Sequence, residues 1–398
     1  MKSSRMAVIF LALLACGQRQ ELSASAPVGA PAPGPVALIT PAAPPATVLA
    51  SGVVAGPVPD YAPMLAVVSH ERVDEMAPEL RPTLTRILGS AHHSQRHTWT
   101  QLPESIADPV DQDDDSTVWM RDYQPIYVRQ PDGRIVAYRY LAENPNRQAY
   151  LPTGLPTQRL PILHENGNLV VAGRYVFLSE VVVDDNEQTW TSPHLLREGY
   201  RPRTREDLKR LLALRFHRRP DEIVFVPPMP YEATGHVDLF LLPLDDHTVV
   251  IPQIHEVPDT PFVRSSVSRV VQVFLDEQAE MLASLGLRVL RLPMVAPTVH
   301  DTEDVSREPR SLDEPLDLVV YSPANSLLVN RGGQRHVFVP TFAELALPPL
   351  DAPRAAAYVR AWRTAFVAEG WQPQLVDASE LAGHLGLLRC VTASVPKS

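Results

Sequence analysis

Two periods of apolar residues alternate along the chain. Positions 72–88 carry apolar residues at helical spacing and are followed by Gly89, which predicts a helix closed by a glycine. Thr204-Arg205-Glu206-Asp207 resembles a capping box and predicts a helix from there to about Phe216. A longer amphipathic helix is expected over 264–285, stopped by Gly286, and another over 353–369, stopped by Gly370. Short β-rich runs lie between them at 126–128, 134–140, 169–183, 223–226, 237–242, 248–251, 318–321 and 336–339. Twice a helix ends in glycine and an alternating strand follows, at 285–290 and 369–376. Three strands end in a proline corner, at Pro227, Pro252 and Pro340. Alternating strands and helices predict an α/β fold, and the recurring units hint at pseudosymmetry. The folded part is expected to be one large domain over 61–398.

The first sixty residues follow neither period. Lys2 and Arg5 precede an apolar run over 6–15, which is too short to span a bilayer and fits the core of a signal peptide. Leu13-Leu14-Ala15-Cys16 resembles the lipobox of bacterial lipoproteins, in which the chain is cut before the cysteine and the cysteine is acylated. The alternative is an ordinary signal peptide with a chance cysteine. Gly17, rather than Asp, follows Cys16, which by the same resemblance points to the outer membrane. Nine prolines lie between Pro27 and Pro59. The expectation is a signal peptide over 1–15, a Pro/Ala-rich tether over 16–60 and a lipid-anchored domain on the periplasmic or cell-surface side.

Composition narrows the chemistry. Hydrophobic residues make up 45% of the 398 positions, enough for a large core. The formal net charge of −10 argues against a dominant nucleic-acid role and suits a cationic partner. Cys16 and Cys390 are the two cysteines. With Cys16 lipidated, Cys390 is a lone thiol, either packed and inert or catalytic.

Four constellations carry candidate chemistry. Trp119-Met120-Arg121-Asp122-Tyr123-Gln124-Pro125 follows an acidic loop at Asp113, Asp114 and Asp115. His164-Glu165-Asn166-Gly167-Asn168 leads into an apolar strand. Gly235-His236-Val237-Asp238 opens an apolar run, and on a strand His236 and Asp238 would share a face. Arg389-Cys390-Val391-Thr392 lies near the C-terminus, where the Arg389 charge would favour a thiolate. Together they offer a nucleophile in Cys390, a proton shuttle in His236 and carboxylates in Asp122, Glu165 and Asp238. Carboxylates beside a thiol suppress its ionisation, so they do not suit attack on a neutral ester. They do suit a guanidinium, whose fork of N–H donors matches paired carboxylates.

These motifs, in this order, resemble those of the agmatine deiminase and bacterial peptidylarginine deiminase family of the guanidine-modifying superfamily. Trp119-Met120-Arg121-Asp122, the 164–168 segment and Gly235-His236-Val237-Asp238 resemble three of its motifs. Tyr321-Ser322-Pro323-Ala324-Asn325-Ser326 with Val339-Pro340-Thr341-Phe342, and Arg389-Cys390-Val391-Thr392, resemble its later ones. Asn166 stands where the family has a glycine, Gln124 where a glycine precedes the proline, and Arg389 where the agmatine enzymes have histidine. The resemblance implies a fivefold pseudosymmetric α/β propeller with a central site. It implies that Cys390 attacks the guanidinium carbon and that Asp122 and Asp238 clamp its nitrogens. Glu165 would contact substrate or orient His236, Trp119 would line the site, and His236 would protonate ammonia and then activate water. No metal or cofactor is expected. The implied substrate is agmatine, giving N-carbamoylputrescine, or peptidyl-arginine, giving peptidyl-citrulline, with agmatine placed first. Two other classes stay open: a metal-dependent hydrolase using His164, Glu165, His236 and Asp238, and a non-catalytic arginine-binding lipoprotein.

Overall fold

The computed structural model describes residues 37–39, 55–70, 73, 77–89, 92–95, 119–141, 155–190, 192–255, 263–299, 316, 318–342, 352–383 and 386–397. The expected signal peptide and Cys16 lie outside the described residues, as does the Asp113–Asp115 loop.

The α/β expectation holds. Five of the sheets among the described residues repeat one pairing pattern, an antiparallel pair whose second strand is joined in parallel by a third. The first unit pairs Ile126–Arg129 with Ile135–Leu141, then Thr157–Leu163. The second pairs Leu169–Ala172 with Tyr175–Ser179, then Ile223–Val226. The third pairs Leu242–Pro243 with Thr248–Ile254, then Arg288–Met294. The fourth pairs Leu327–Arg331 with Gln334–Thr341, then Gln372–Asp377. The fifth joins the two ends of the chain: Thr392–Pro396 pairs with Met64–His70, then His92–Gln95. A parallel partner requires a crossover, and four of these carry a described helix: Leu80–Leu88, Arg205–Arg215, Ser265–Ser284 and Ala352–Ala368. No sheet among the described residues closes on itself.

Local chemistry explains most boundaries. Thr204 caps Arg205–Arg215, its hydroxyl accepting from the Asp207 N–H at 3.2 Å. Gly286 and Gly370 follow their helices at φ 89° and 76°, a region open to glycine. Of the helix expected over 72–88, Val73 is helical, residues 78–79 form a turn, and the helix Leu80–Leu88 starts after that turn with Pro82 in its first turn. The 169–183 run is not one strand. It turns at Gly173, φ 55°, and ends where Ser179 caps the helix Glu180–Glu187. Pro227 does follow its strand, but Pro252 and Pro340 sit inside theirs, beyond the last residue paired with the shorter hairpin partner.

Within the stretch expected as tether, Ala37–Ile39 pairs antiparallel with Arg288–Met294, and Gly56–Pro57 with Ile126–Arg129. Exposed strand edges accept such additions. The folded chain therefore begins before Tyr61. Among the described residues, the three largest apolar clusters underlie the units. One holds Trp362, Trp371 and Phe338, a second Phe240 and Phe274, and a third Phe216 and Ile126. Thr204→Ala should destabilise the protein by about 1 kcal/mol through loss of the helix cap, while Thr204→Ser should not. Equal denaturation midpoints for wild type and Thr204→Ala would contradict this.

Candidate active site

Each unit is preceded by a tight turn, and these turns carry the polar residues. They are Met120–Tyr123, Asn166–Asn168, Val237–Leu239, Pro323–Asn325 and the turn at 388–391. Hydrogen bonds join each turn to its neighbour. The Arg121 N–H donates to the Cys390 carbonyl at 2.9 Å, and the Arg389 N–H to Asn325 Oδ1 at 3.0 Å. Asn325 Nδ2 donates to Asp238 Oδ1 at 3.3 Å. His236 Nε2 meets Glu165 Oε2 at 3.1 Å, and Arg121 Nη2 reaches the Leu169 carbonyl at 3.4 Å.

The 237–242 run is not a strand. His236 sits just before a short 3-10 turn, Val237–Leu239, so His236 and Asp238 do not share a strand face. His236 turns to Glu165 and, at 3.9 Å from Nδ1, to Asp122 Oδ1. Asp238, with no solvent exposure, turns to Asn325 and two guanidiniums. Its Oδ2 lies 3.4 Å from Arg121 Nε and 3.7 Å from Arg389 Nε. These are ion contacts; among the described residues, none donates a hydrogen bond to Asp238 Oδ2 or Asp122 Oδ1.

The electrostatics follow from burial. Burial disfavours the His236 imidazolium, but Asp122, Glu165 and Asp238 outweigh it and hold His236 at about 10. Burial, with the Glu165 and Asp238 charges, raises Asp122 to about 7 against the pull of His236 and Arg121. Burial, then Asp238 and Asp122, push the Cys390 thiol well above its ordinary range. Its Sγ lies 3.6 Å from Asn325 Oδ1, as an S–H donor. Arg389 does not supply the thiolate's counter-charge as its sequence position suggests. Its side chain binds Asp60 and faces Asp238.

Trp119 is half-buried and packs on Gly386, where a Cβ would lie 2.1 Å from the indole. Glu165 is about half exposed, with 47% of its side chain accessible. The metal set built on His164 and Asp238 is not assembled. His164 is buried edge-on to the Tyr140 ring, 4.8 Å between centroids, and burial lowers it to about 3. Ligand atoms of Asp122, Glu165 and His236 do lie within 4.8 Å of one another, and among the described residues this is a group that could hold a cation. Of the motif departures, Gln124 accepts the Ser394 N–H at 3.0 Å, tying the first unit to the fifth. Asn325, Arg121 and Asp60 were not singled out from the sequence. The first two lie in motifs quoted above, whereas Asp60 lies among tether prolines with no signal of its own.

No family model matches the chain, and no curated protein does. Solved structures do. A C. jejuni agmatine deiminase matches with TM-score 0.54 at 12% identity, over 89% of this chain and 99% of that one. The chain has the fold of the agmatine deiminases. An Enterococcus faecalis agmatine deiminase matches with TM-score 0.56 at 16% identity, over 86% and 96%. A variant of the C. jejuni enzyme with substrate bound matches with TM-score 0.54 at 13% identity, over 89% and 99%. These are the neighbours to which the motif resemblance points.

A Cβ at Gly167 would lie 2.4 Å from His236 Nδ1, so this glycine lets the ring reach Glu165. Gly167→Ala should displace the ring and bring its titration down from about 10 towards 6.5, read by NMR of the imidazole. An unchanged midpoint would show that the ring is held otherwise. Because the folded value lies above the unfolded one, His236 contributes stability fully below about 6.5 and loses it as pH rises through about 10.

Proposed function

We propose that the chain is a hydrolase that deiminates a guanidino group, releasing ammonia. The observation that carries this reading is an excess of negative charge beside a buried thiol, three of its carboxylates buried or nearly so and Glu165 about half exposed at the edge. Asp60, Asp122, Glu165 and Asp238 face Arg121, Arg389 and the His236 imidazolium. One negative charge is left over when all are ionised, and a guanidinium would balance it. The donor-free Asp122 Oδ1 and Asp238 Oδ2 are acceptors for its N–H groups.

As the cation binds, the Cys390 thiol releases its proton to solvent, because His236 is already protonated, and the thiolate attacks the guanidinium carbon to give a tetrahedral adduct. His236, held as imidazolium, gives its proton to the leaving nitrogen, and ammonia departs to leave a thiouronium on Cys390. The neutral imidazole then takes a proton from water, whose oxygen attacks the same carbon. Collapse returns the proton and the ureido product leaves Cys390. Arg389 is occupied by Asp60 and Asp238, so the bound cation and His236 are the sources of thiol activation. Asp122, raised to about 7, ionises fully against a bound cation. The five repeated units support a fivefold pseudosymmetric propeller around the five turns. Agmatine is placed ahead of peptidyl-arginine on the motif set. Lipid attachment at Cys16, with the domain held at the outer membrane, belongs to the same reading.

Ammonia release from agmatine, free arginine and an arginine peptide tests this directly. Cys390→Ala should abolish turnover in a folded protein, and a few per cent of residual activity would remove Cys390 as nucleophile. A tenfold preference in kcat/KM, about 1.4 kcal/mol, would count as selection, and a preference for the peptide would reverse the substrate order. The closeness of the Asp122, Glu165 and His236 ligand atoms favours a second, metal-dependent reading, which loss of turnover on chelation would support.

The kcat/KM profile should rise with pH near 7 as Asp122 ionises and fall near 10 as His236 loses its proton. An acid limb at the ordinary carboxylate value would contradict it. Labelled palmitate should enter the wild type and not Cys16→Ser; an unlabelled wild type would defeat the lipid anchor.

A further inference from the structure

Asp60 lies in the stretch read from sequence as tether, yet its carboxylate is at the centre of the buried charges. Gly56–Pro57 adds to the edge of Ile126–Arg129, and the Val58 N–H donates to the Tyr127 carbonyl at 2.8 Å. This pairing aims Asp60 inward. Arg121 grips it with both terminal nitrogens, Nη1 to Oδ1 at 2.8 Å and Nη2 to Oδ2 at 3.2 Å. Arg389 Nη2 binds Oδ2 as well. The Nε atoms of both arginines face Asp238. Two guanidiniums are thus held between two carboxylates, Asp60 after the added strand Gly56–Pro57 and Asp238 in the site. Both arginines are buried, so neither can find a replacement partner in water.

We infer that Asp60 is a positioning residue for the guanidinium clamp: it occupies the terminal nitrogens of Arg121 and Arg389 and leaves their Nε edges to Asp238. Without its charge, two buried guanidiniums would share one carboxylate. The negative charge left over at the site would vanish, and the two forks would turn towards Asp238 and Asp122. A cationic substrate would then meet a neutral or positive site. The loss should fall on ground state and transition state alike, since the guanidinium is cationic in both. It should therefore appear in KM more than in kcat. The inference rests on the deimination reading for substrate identity only.

Three variants separate charge from packing. Asp60→Asn removes the charge with little change of shape. Asp60→Glu keeps the charge. Arg218→Ala removes a packing contact upstream, where Arg218 donates to the Ala55 carbonyl and packs on Gly56, and leaves the Gly56–Pro57 strand pairing and the charge cluster in place. The full chain of each is assayed with the preferred guanidino substrate. In parallel, alkylation of Cys390 by anionic iodoacetate and neutral iodoacetamide is followed by mass spectrometry. Asp60→Asn should raise KM at least tenfold with kcat within threefold. It should also raise the iodoacetate-to-iodoacetamide rate ratio at least fivefold. Asp60→Glu should recover most of both effects, and Arg218→Ala should change neither. A ratio unmoved in Asp60→Asn would overturn the inference, as would Asp60→Glu behaving like Asp60→Asn or Arg218→Ala reproducing its effects. If the wild type releases no ammonia from any guanidino compound, the deiminase reading fails, and the alkylation ratio still decides the role of Asp60.

Discussion

The architecture of the site depends on one carboxylate that water cannot reach. Asp238 is fully buried, and an unpaired ion there would cost several kcal/mol. Its companions come from three other parts of the chain: Arg121 before the first unit, Asn325 before the fourth, and Arg389 before the fifth. Arg121 and Arg389 are themselves buried and need a second anion, which Asp60 supplies from a strand added to the sheet edge. Burying one charge therefore orders residues 329 positions apart in sequence, from Asp60 to Arg389. Breaking such a network at one member leaves the others uncompensated, which is costlier than losing the contact itself.

Above this charged layer the same physics sets the proton chemistry. Burial alone would make His236 neutral, and the neighbouring carboxylates reverse that. Burial alone would raise Cys390, and the carboxylates add to it. Under the proposed deimination, the imidazolium beside a protonated thiol would be the resting state. A cation entering among the carboxylates lowers the cost of the thiolate. Under the proposed deimination, the carboxylates that suppress the thiol in the free protein are also the ones that would bind the guanidinium able to release it.

The repeated unit explains why single residues from distant motifs converge. Each antiparallel pair starts at a tight turn, and each turn contributes one or two polar groups: Asp122, Glu165, His236 with Asp238, Asn325, and Cys390. A turn buried at the start of a strand leaves backbone and side-chain polar groups in need of partners. The neighbouring turns provide them, as in the bonds from Arg121 N–H to Cys390 and from Arg389 N–H to Asn325.

Much of this was legible in the amino-acid order. Helical periodicity located Ser265–Ser284 and Ala352–Ala368 to within a residue or two, and Thr204 with Asp207 marked the start of Arg205–Arg215, because caps and periods are local properties. The α/β class and the polar motifs around Asp122, Glu165, His236 and Cys390 could be read for the same reason. Apolar runs misled where they had more than one use. The 169–183 run folds as a hairpin and a helix, and the 237–242 run begins as a 3-10 turn, because burial on every side erases the period that separates these forms. The direction in which Arg389 points, the pairing of Asp238 and the inward turn of Asp60 were decided by tertiary structure alone. Ion pairing in a buried site depends on which charges the fold brings within a few ångströms. Spacing along the chain carries no record of contacts that span hundreds of residues.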